Sequence, residues 1–125
     1  MFTRVIVITL LSTTLFAGDW EKLGARTVKM HAEFDTITVG AHDGTFDKIK
    51  IKVRKNGIQF LDVKVHFANG SVQDVALKDF IAAGSESRVI DLVGDDRTIK
   101  KVVFKYKSNK KNLKGKAIVE LWGRH

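Results

Sequence analysis

Apolar and polar residues alternate along most of this chain with a period of two. The pattern is cleanest at residues 46–54 (FDKIKIKVR), where Ile49, Ile51 and Val53 fall on one face and Lys48, Lys50, Lys52 and Arg54 on the other. A strand places successive side chains on opposite faces, so this is the pattern of a strand with one face in a core and one in water. Residues 22–28, 34–39, 71–77, 88–93, 98–107 and 116–122 read the same way, with Val102, Phe104 and Tyr106 sharing one face and Ala117, Val119 and Leu121 another. Residues 58–67 change phase: Ile58 and Phe60 are even, whereas Leu61, Val63, Val65 and Phe67 are odd. One extra residue near Phe60-Leu61 keeps both sets inside, which predicts a β-bulge.

Turn signals separate these segments. Gly40 to Gly44, Asn56-Gly57, Asn69-Gly70 and Gly94-Asp95-Asp96 all favour reversal of the chain. Asn-Gly suits a two-residue hairpin, so residues 46–54 and 58–67 are expected to pair, as are the strands flanking Asn69-Gly70. Residues 78–84 are the least regular and are expected to hold a helical turn ending at Gly84. Residues 108–115 form a loop rich in Lys and Asn. Seven to eight short strands with turns between them predict an all-β fold, an antiparallel β-sandwich of jelly-roll-like outline, with a partly closed barrel as the second choice.

The first seventeen residues break the alternation. Arg4 gives a positive start, residues 5–16 are apolar apart from Thr and Ser, and Ala17 precedes polar Gly18-Asp19. This predicts a cleaved signal peptide over 1–17. The apolar run is far shorter than the roughly 20 residues a spanning helix needs. What remains, 18–125, is the size of one domain, with no transmembrane span after signal removal. The expected location is periplasmic or secreted, of the bacterial type. The chain has no Cys, so no disulfide supports it, and no Pro. It carries 22 Lys+Arg against 14 Asp+Glu; without Arg4 the balance is 21 against 14, or +7. A basic protein of this size favours anionic partners.

In their order along the chain, WEKLG (20–24), DTITVG (35–40), residues 43–75, residues 81–106 and GKAIVELWGR (115–124) resemble an uncharacterised family of small exported bacterial domains, a domain of unknown function. The likeness rests on a long shared layout. It implies an exported all-β domain and brings no activity, cofactor or site residue.

Candidate chemistry is sparse. His31, Glu33 and Asp35 would share a strand face, but same-face residues lie about 7 Å apart, too far to clasp one ion unaided. His42-Asp43, Asp91 and Asp95-Asp96 fit turns better than a calcium loop. Ser85, Ser87 and His66 lack the surroundings of a nucleophile and base. No phosphate-binding Gly-rich loop occurs, and no cofactor, metal site or catalytic residue is expected. Trp20 and Trp122, near the two ends of the domain, are expected to close it by packing where the termini meet, with a sugar-stacking platform as the functional alternative.

The sharpest surface feature is the cationic strand face of Lys48, Lys50, Lys52 and Arg54, which the expected hairpin would extend with Lys64 and His66. A second concentration of Lys lies at Lys105, Lys107, Lys110, Lys111, Lys114 and Lys116. The expected function is a non-enzymatic binding or envelope-associated module that holds an anionic glycan or lipid headgroup on the basic face. The alternative is a structural or assembly module that docks on a protein partner through a sheet edge. Nucleic acid is a poor fit, because no aromatic ladder interleaves the lysines.

Overall fold

The computed structural model describes residues 19–29, 33–40, 43–107 and 115–125. The expected signal peptide over 1–17, His31, His42 and the basic stretch 108–114 lie outside them. The described residues form nine antiparallel strands: β1 (Glu21–Lys29), β2 (Phe34–Thr38), β3 (Lys48–Arg54), β4 (Ile58–Phe67), β5 (Val72–Val75), β6 (Phe80–Ile81), β7 (Ile90–Asp91), β8 (Ile99–Lys107) and β9 (Lys116–Arg124). One sheet runs β1-β9-β3-β7; the other runs β2-β8-β4-β5, with β6 also beside β4. This is the expected all-β sandwich, and β6 and β7 are two-residue strands.

The core forms where the apolar sides of the two alternations meet. Ile49, Ile51 and Val53 of β3, with Ala117, Val119 and Leu121 of β9, are buried from one sheet. Phe60, Val63 and Val65 of β4, with Val102, Phe104 and Tyr106 of β8, are buried from the other. Each large side chain so buried contributes about 1.5–3 kcal/mol relative to exposure. Phe104 anchors the centre, its ring 5.8 Å from Phe60 and 5.7 Å from Tyr106 in tilted contacts.

The bulge expected in β4 is present. Phe60 pairs with Tyr106 and Asp62 with Lys105, so Leu61 is the extra residue. Phe60 and Val63 both stay inside as expected, but Leu61, which its phase grouped with the inward set, stands with Asp62 on the outer side because it is itself the extra residue. The Asn69-Gly70 turn also joins paired strands, with His66 opposite Val72.

The Asn56-Gly57 hairpin does not form. β3 pairs with β9 and β7, and β4 with β8, β5 and β6, so the turn carries the chain from one sheet to the other. Alternation cannot distinguish two strands that neighbour in one sheet from two that face each other across the core. Asn56 fixes this corner by donating from Nδ2 to the Lys116 carbonyl (2.6 Å). Gly57 lies under the Phe80 ring, and a Cβ there would have to displace that exposed side chain. Residues 78–84 form no helical turn. Phe80 and Ile81 pair with Gln59 and Ile58 instead, and Ser85 N bonds to the Ala82 carbonyl (3.0 Å).

Side chains tie the two sheets along both open sides. Arg26 of β1 bonds Asp35 of β2 (2.9 Å), and the Tyr106 hydroxyl donates to the same carboxylate (3.1 Å). Burial, reinforced by that carboxylate, pushes the Tyr106 hydroxyl pKa upward. On the opposite side the Gln73 amide donates to the Asp91 carbonyl (3.0 Å) and accepts from Val93 N (2.9 Å).

Candidate functional site

The four-stranded sheet carries Lys48, Lys50, Lys52 and Arg54 on its outer face, as the alternation requires. Each has an acidic neighbour there. Lys48 pairs with Asp91 (3.0 Å), Lys50 with Glu86 (3.1 Å), Lys52 with Glu86 (3.9 Å) and Arg54 with Glu120 (3.6 Å). Register explains the match: Lys52 stands between Glu120 of β9 and Glu86 of the stretch alongside β3. Two of the cations also cover indole rings, Lys50 over Trp20 at 4.3 Å and Lys52 over Trp122 at 4.1 Å. Lys50 is only 9% exposed, so its charge is held inside this layer of side chains.

Glu120 is the hub of that layer. It is 4% exposed although it lies on the outer face. It takes Lys22 at 3.3 Å and accepts from Trp122 Nε1 at 3.0 Å. Burial works to raise its pKa, yet the bond from Trp122 and the pairs with Lys22 and Arg54 outweigh it and hold the carboxyl below its ordinary range. β1 pairs with β9 and brings the two ends of the domain together. The two tryptophans therefore share one face, each capped by a lysine.

Lys64 stands elsewhere. It belongs to β4, on the outer face of the five-stranded sheet, with the sandwich between it and the Lys48–Arg54 row. Without the 56–57 hairpin nothing brings these cations together. Lys64 bonds Asp62 (2.8 Å) and lies 3.5 Å from Asp74 across the strand pair. The Lys64 bond holds the Asp62 carboxyl below its ordinary value against partial desolvation, and the same bond raises Lys64.

Around this trio the five-stranded sheet is hollowed. An open depression of ≈ 640 Å³ is lined by Leu61, Asp62, Asp74, Ala76, Lys78 and Lys105. A second hollow of ≈ 280 Å³ shares Asp62 and Lys105 and reaches Phe34, which is 67% exposed at the sheet margin. The bulge builds this relief by turning Leu61 and Asp62 outward in succession. β8 supplies Lys101, Lys105 and Lys107 on the same face, its outward positions opposite His66 and Asp62 of β4 and Gln59 at the end. Among the described residues no carboxylate lies within ion-pair distance of Lys78, Lys101, Lys105 or Lys107. The sequence marked Lys105 and Lys107 within a basic concentration but gave no weight to Phe34, Leu61, Asp62, Asp74, Lys78 or Lys101. The phase change at Phe60-Leu61 was the available signal, since a bulge exposes two consecutive side chains.

The other candidates separate. Asp35 is held by Arg26 and Tyr106, and Asp43 Oδ2 accepts from Gly40 N within its turn. Ser87 Oγ accepts from Ile51 N (2.9 Å) and donates to the Arg88 carbonyl (2.8 Å), beside the four-stranded sheet. His66 faces outward from the other sheet, so the two share no site. Asp95 lies in the expected turn with a φ of 60°.

The family model described as "Domain of unknown function (DUF2541)" matches residues 2–123. Among curated proteins none matches. The fold is similar to part of a structure titled for the characterisation of Pseudomonas aeruginosa AlgX: TM-score 0.55, 9% identity, covering 84% of this chain and 26% of that one. A fainter likeness is to the SPBc2 prophage-derived protein YomS, with TM-score 0.44 and 14% identity, covering 84% of this chain and 90% of that one. At this identity the first likeness shows the fold alone, and the second carries no argument.

Proposed function

We propose that this chain, which belongs to the DUF2541 family of domains of unknown function, is an exported, non-enzymatic module that binds an anionic envelope ligand, glycan or lipid headgroup, on the outer face of its five-stranded sheet. One observation carries the reading. The cations of the Lys48–Arg54 face are engaged by Asp91, Glu86 and Glu120, whereas Lys78, Lys101, Lys105 and Lys107 have no such partner among the described residues; Lys78 and Lys105 line an open depression, and Lys101 and Lys107 share the outward side of β8 with Lys105. A cation already paired offers an incoming anion little new Coulomb energy; an unpaired, solvated one offers its full charge. The leader over 1–17 supports export. The dispersal of Ser87 and His66 to different sheets supports a binding role over a hydrolytic one.

The sheet-edge alternative has weaker support. β1 is a nine-residue edge strand, but it carries Glu21, Lys22, Arg26 and Lys29, charges that discourage strand addition.

The test is binding at about 0.15 M salt, where weak surface attraction is screened. Oligogalacturonate is titrated by NMR, and phosphatidylglycerol vesicles are scored by co-sedimentation. We expect at least one to bind, with oligogalacturonate shifts on β4 and β8, and Lys101→Ala/Lys105→Ala/Lys107→Ala to abolish binding. Silence from both probes, or binding that this variant leaves unchanged, overturns the reading.

A further inference from the structure

Resting on that reading, we infer that the ligand is an acidic saccharide, with sparse carboxylates and many hydroxyls, and not a densely phosphorylated polyanion or a lipid headgroup. The depression is mixed in charge. Asp62 and Asp74 stand in its lining with Lys78 and Lys105, and both carboxylates face Lys64 beside it. A chain of phosphates laid across it would press negative charge on both carboxylates, which is costly at close range. A sugar hydroxyl donates to those carboxylates, while a sugar carboxylate accepts from the ammonium groups. A ligand that carries both groups can meet the lysines and also use the carboxylate lone pairs that Lys64 leaves open on Asp62 and Asp74.

Two further observations point the same way. Phe34 stands 67% exposed at the margin, opposite Lys105 in register, and lines the adjoining hollow with Val103. A flat apolar ring beside a polar depression suits the C–H face of a sugar ring. The outward cations are also widely spaced. Side chains on one strand face recur about every 6.8 Å, and Val103 separates Lys101 from Lys105, so these two lie about 14 Å apart along β8. That spacing fits carboxylates held a sugar ring or more apart better than continuous phosphate.

Calorimetry at about 0.15 M salt compares oligogalacturonate with inorganic polyphosphate, and co-sedimentation scores phosphatidylglycerol vesicles. We expect oligogalacturonate to bind at least tenfold more tightly than polyphosphate. Asp62→Asn and, separately, Asp74→Asn should weaken oligogalacturonate about tenfold, the size of one charge-assisted hydrogen bond, and strengthen polyphosphate. Phe34→Ala should weaken oligogalacturonate alone. Asp74 and Phe34 are exposed, so their variants keep the wild-type melting temperature and test the ligand separately from the fold. Polyphosphate or vesicle binding as tight as oligogalacturonate, or oligogalacturonate binding indifferent to all three variants, overturns the saccharide inference and leaves anion binding standing. No binding by any probe, or binding untouched by the triple lysine variant, removes both.

Discussion

Replacing Glu120 by Gln tests whether the outer layer of the four-stranded sheet is a working ion-pair network. Gln keeps an oxygen to accept from Trp122 Nε1 but loses the charge that Lys22 and Arg54 face at 3.3 and 3.6 Å. Removing one member of a fully buried pair costs about 3–5 kcal/mol, because its partner is stranded away from water. That limit does not apply here. The side chains of Lys22 and Arg54 are 48% and 61% exposed, so water takes them back. Two such pairs lose roughly 0.2–1 kcal/mol each. Turning the Trp122 bond from charge-assisted to neutral loses about 1 kcal/mol more. The sum is about 2 kcal/mol, or about 8 °C in melting temperature for a domain of this size. The pH dependence has a fixed sign. The folded carboxyl lies below its ordinary value, so its contribution is complete above the unfolded pKa and fades as pH falls through the folded one. Urea unfolding followed by tryptophan fluorescence at neutral pH and on acidification measures both effects. A difference below about 0.5 kcal/mol at neutral pH, or one that does not shrink on acidification, would refute the reasoning.

Other outcomes follow from packing and from the leader. Gly123→Ala places a Cβ 2.8 Å from Leu23 Cδ1 and 3.0 Å from Phe46 Cδ1, and Phe46 is fully buried. Overpacking of this kind should cost about 1–3 kcal/mol, seen as a lower urea midpoint at unchanged slope. Phe104→Ala removes the ring packed between Phe60 and Tyr106 and should cost about 3–5 kcal/mol in the same assay. The full chain produced in a bacterium should be recovered from the periplasm or medium with Gly18 as its first residue by mass spectrometry. Recovery from the cytoplasm with residues 1–17 attached would sink the export reading.

Much of the architecture was legible before any coordinates. Strict alternation in β3, β8 and β9 marked which side chains enter the core, and those residues are buried. The phase change in β4 forced a bulge at Leu61, because a period of two admits no other way to keep Phe60 and Val63 inside. Partnership was not legible. The Asn56-Gly57 pair read as a hairpin because its turn chemistry is local, yet the corner is set by the Asn56–Lys116 bond and the Phe80 ring, contacts distant along the chain.

The candidate site divides along the same line. By itself the sequence determined that this is an all-β chain with an excess of positive charge, and that Lys48, Lys50, Lys52 and Arg54 share one face. These follow from side-chain period and composition, which need no neighbours. The tertiary structure decided which cations are spoken for. Glu86 and Glu120 reach the Lys48–Arg54 face only through strands paired from distant parts of the chain, and Asp62, Lys105 and Phe34 meet only because β4, β8 and β2 lie side by side. Charge belongs to a residue, but its neutralisation depends on distance, and only the folded chain sets distance.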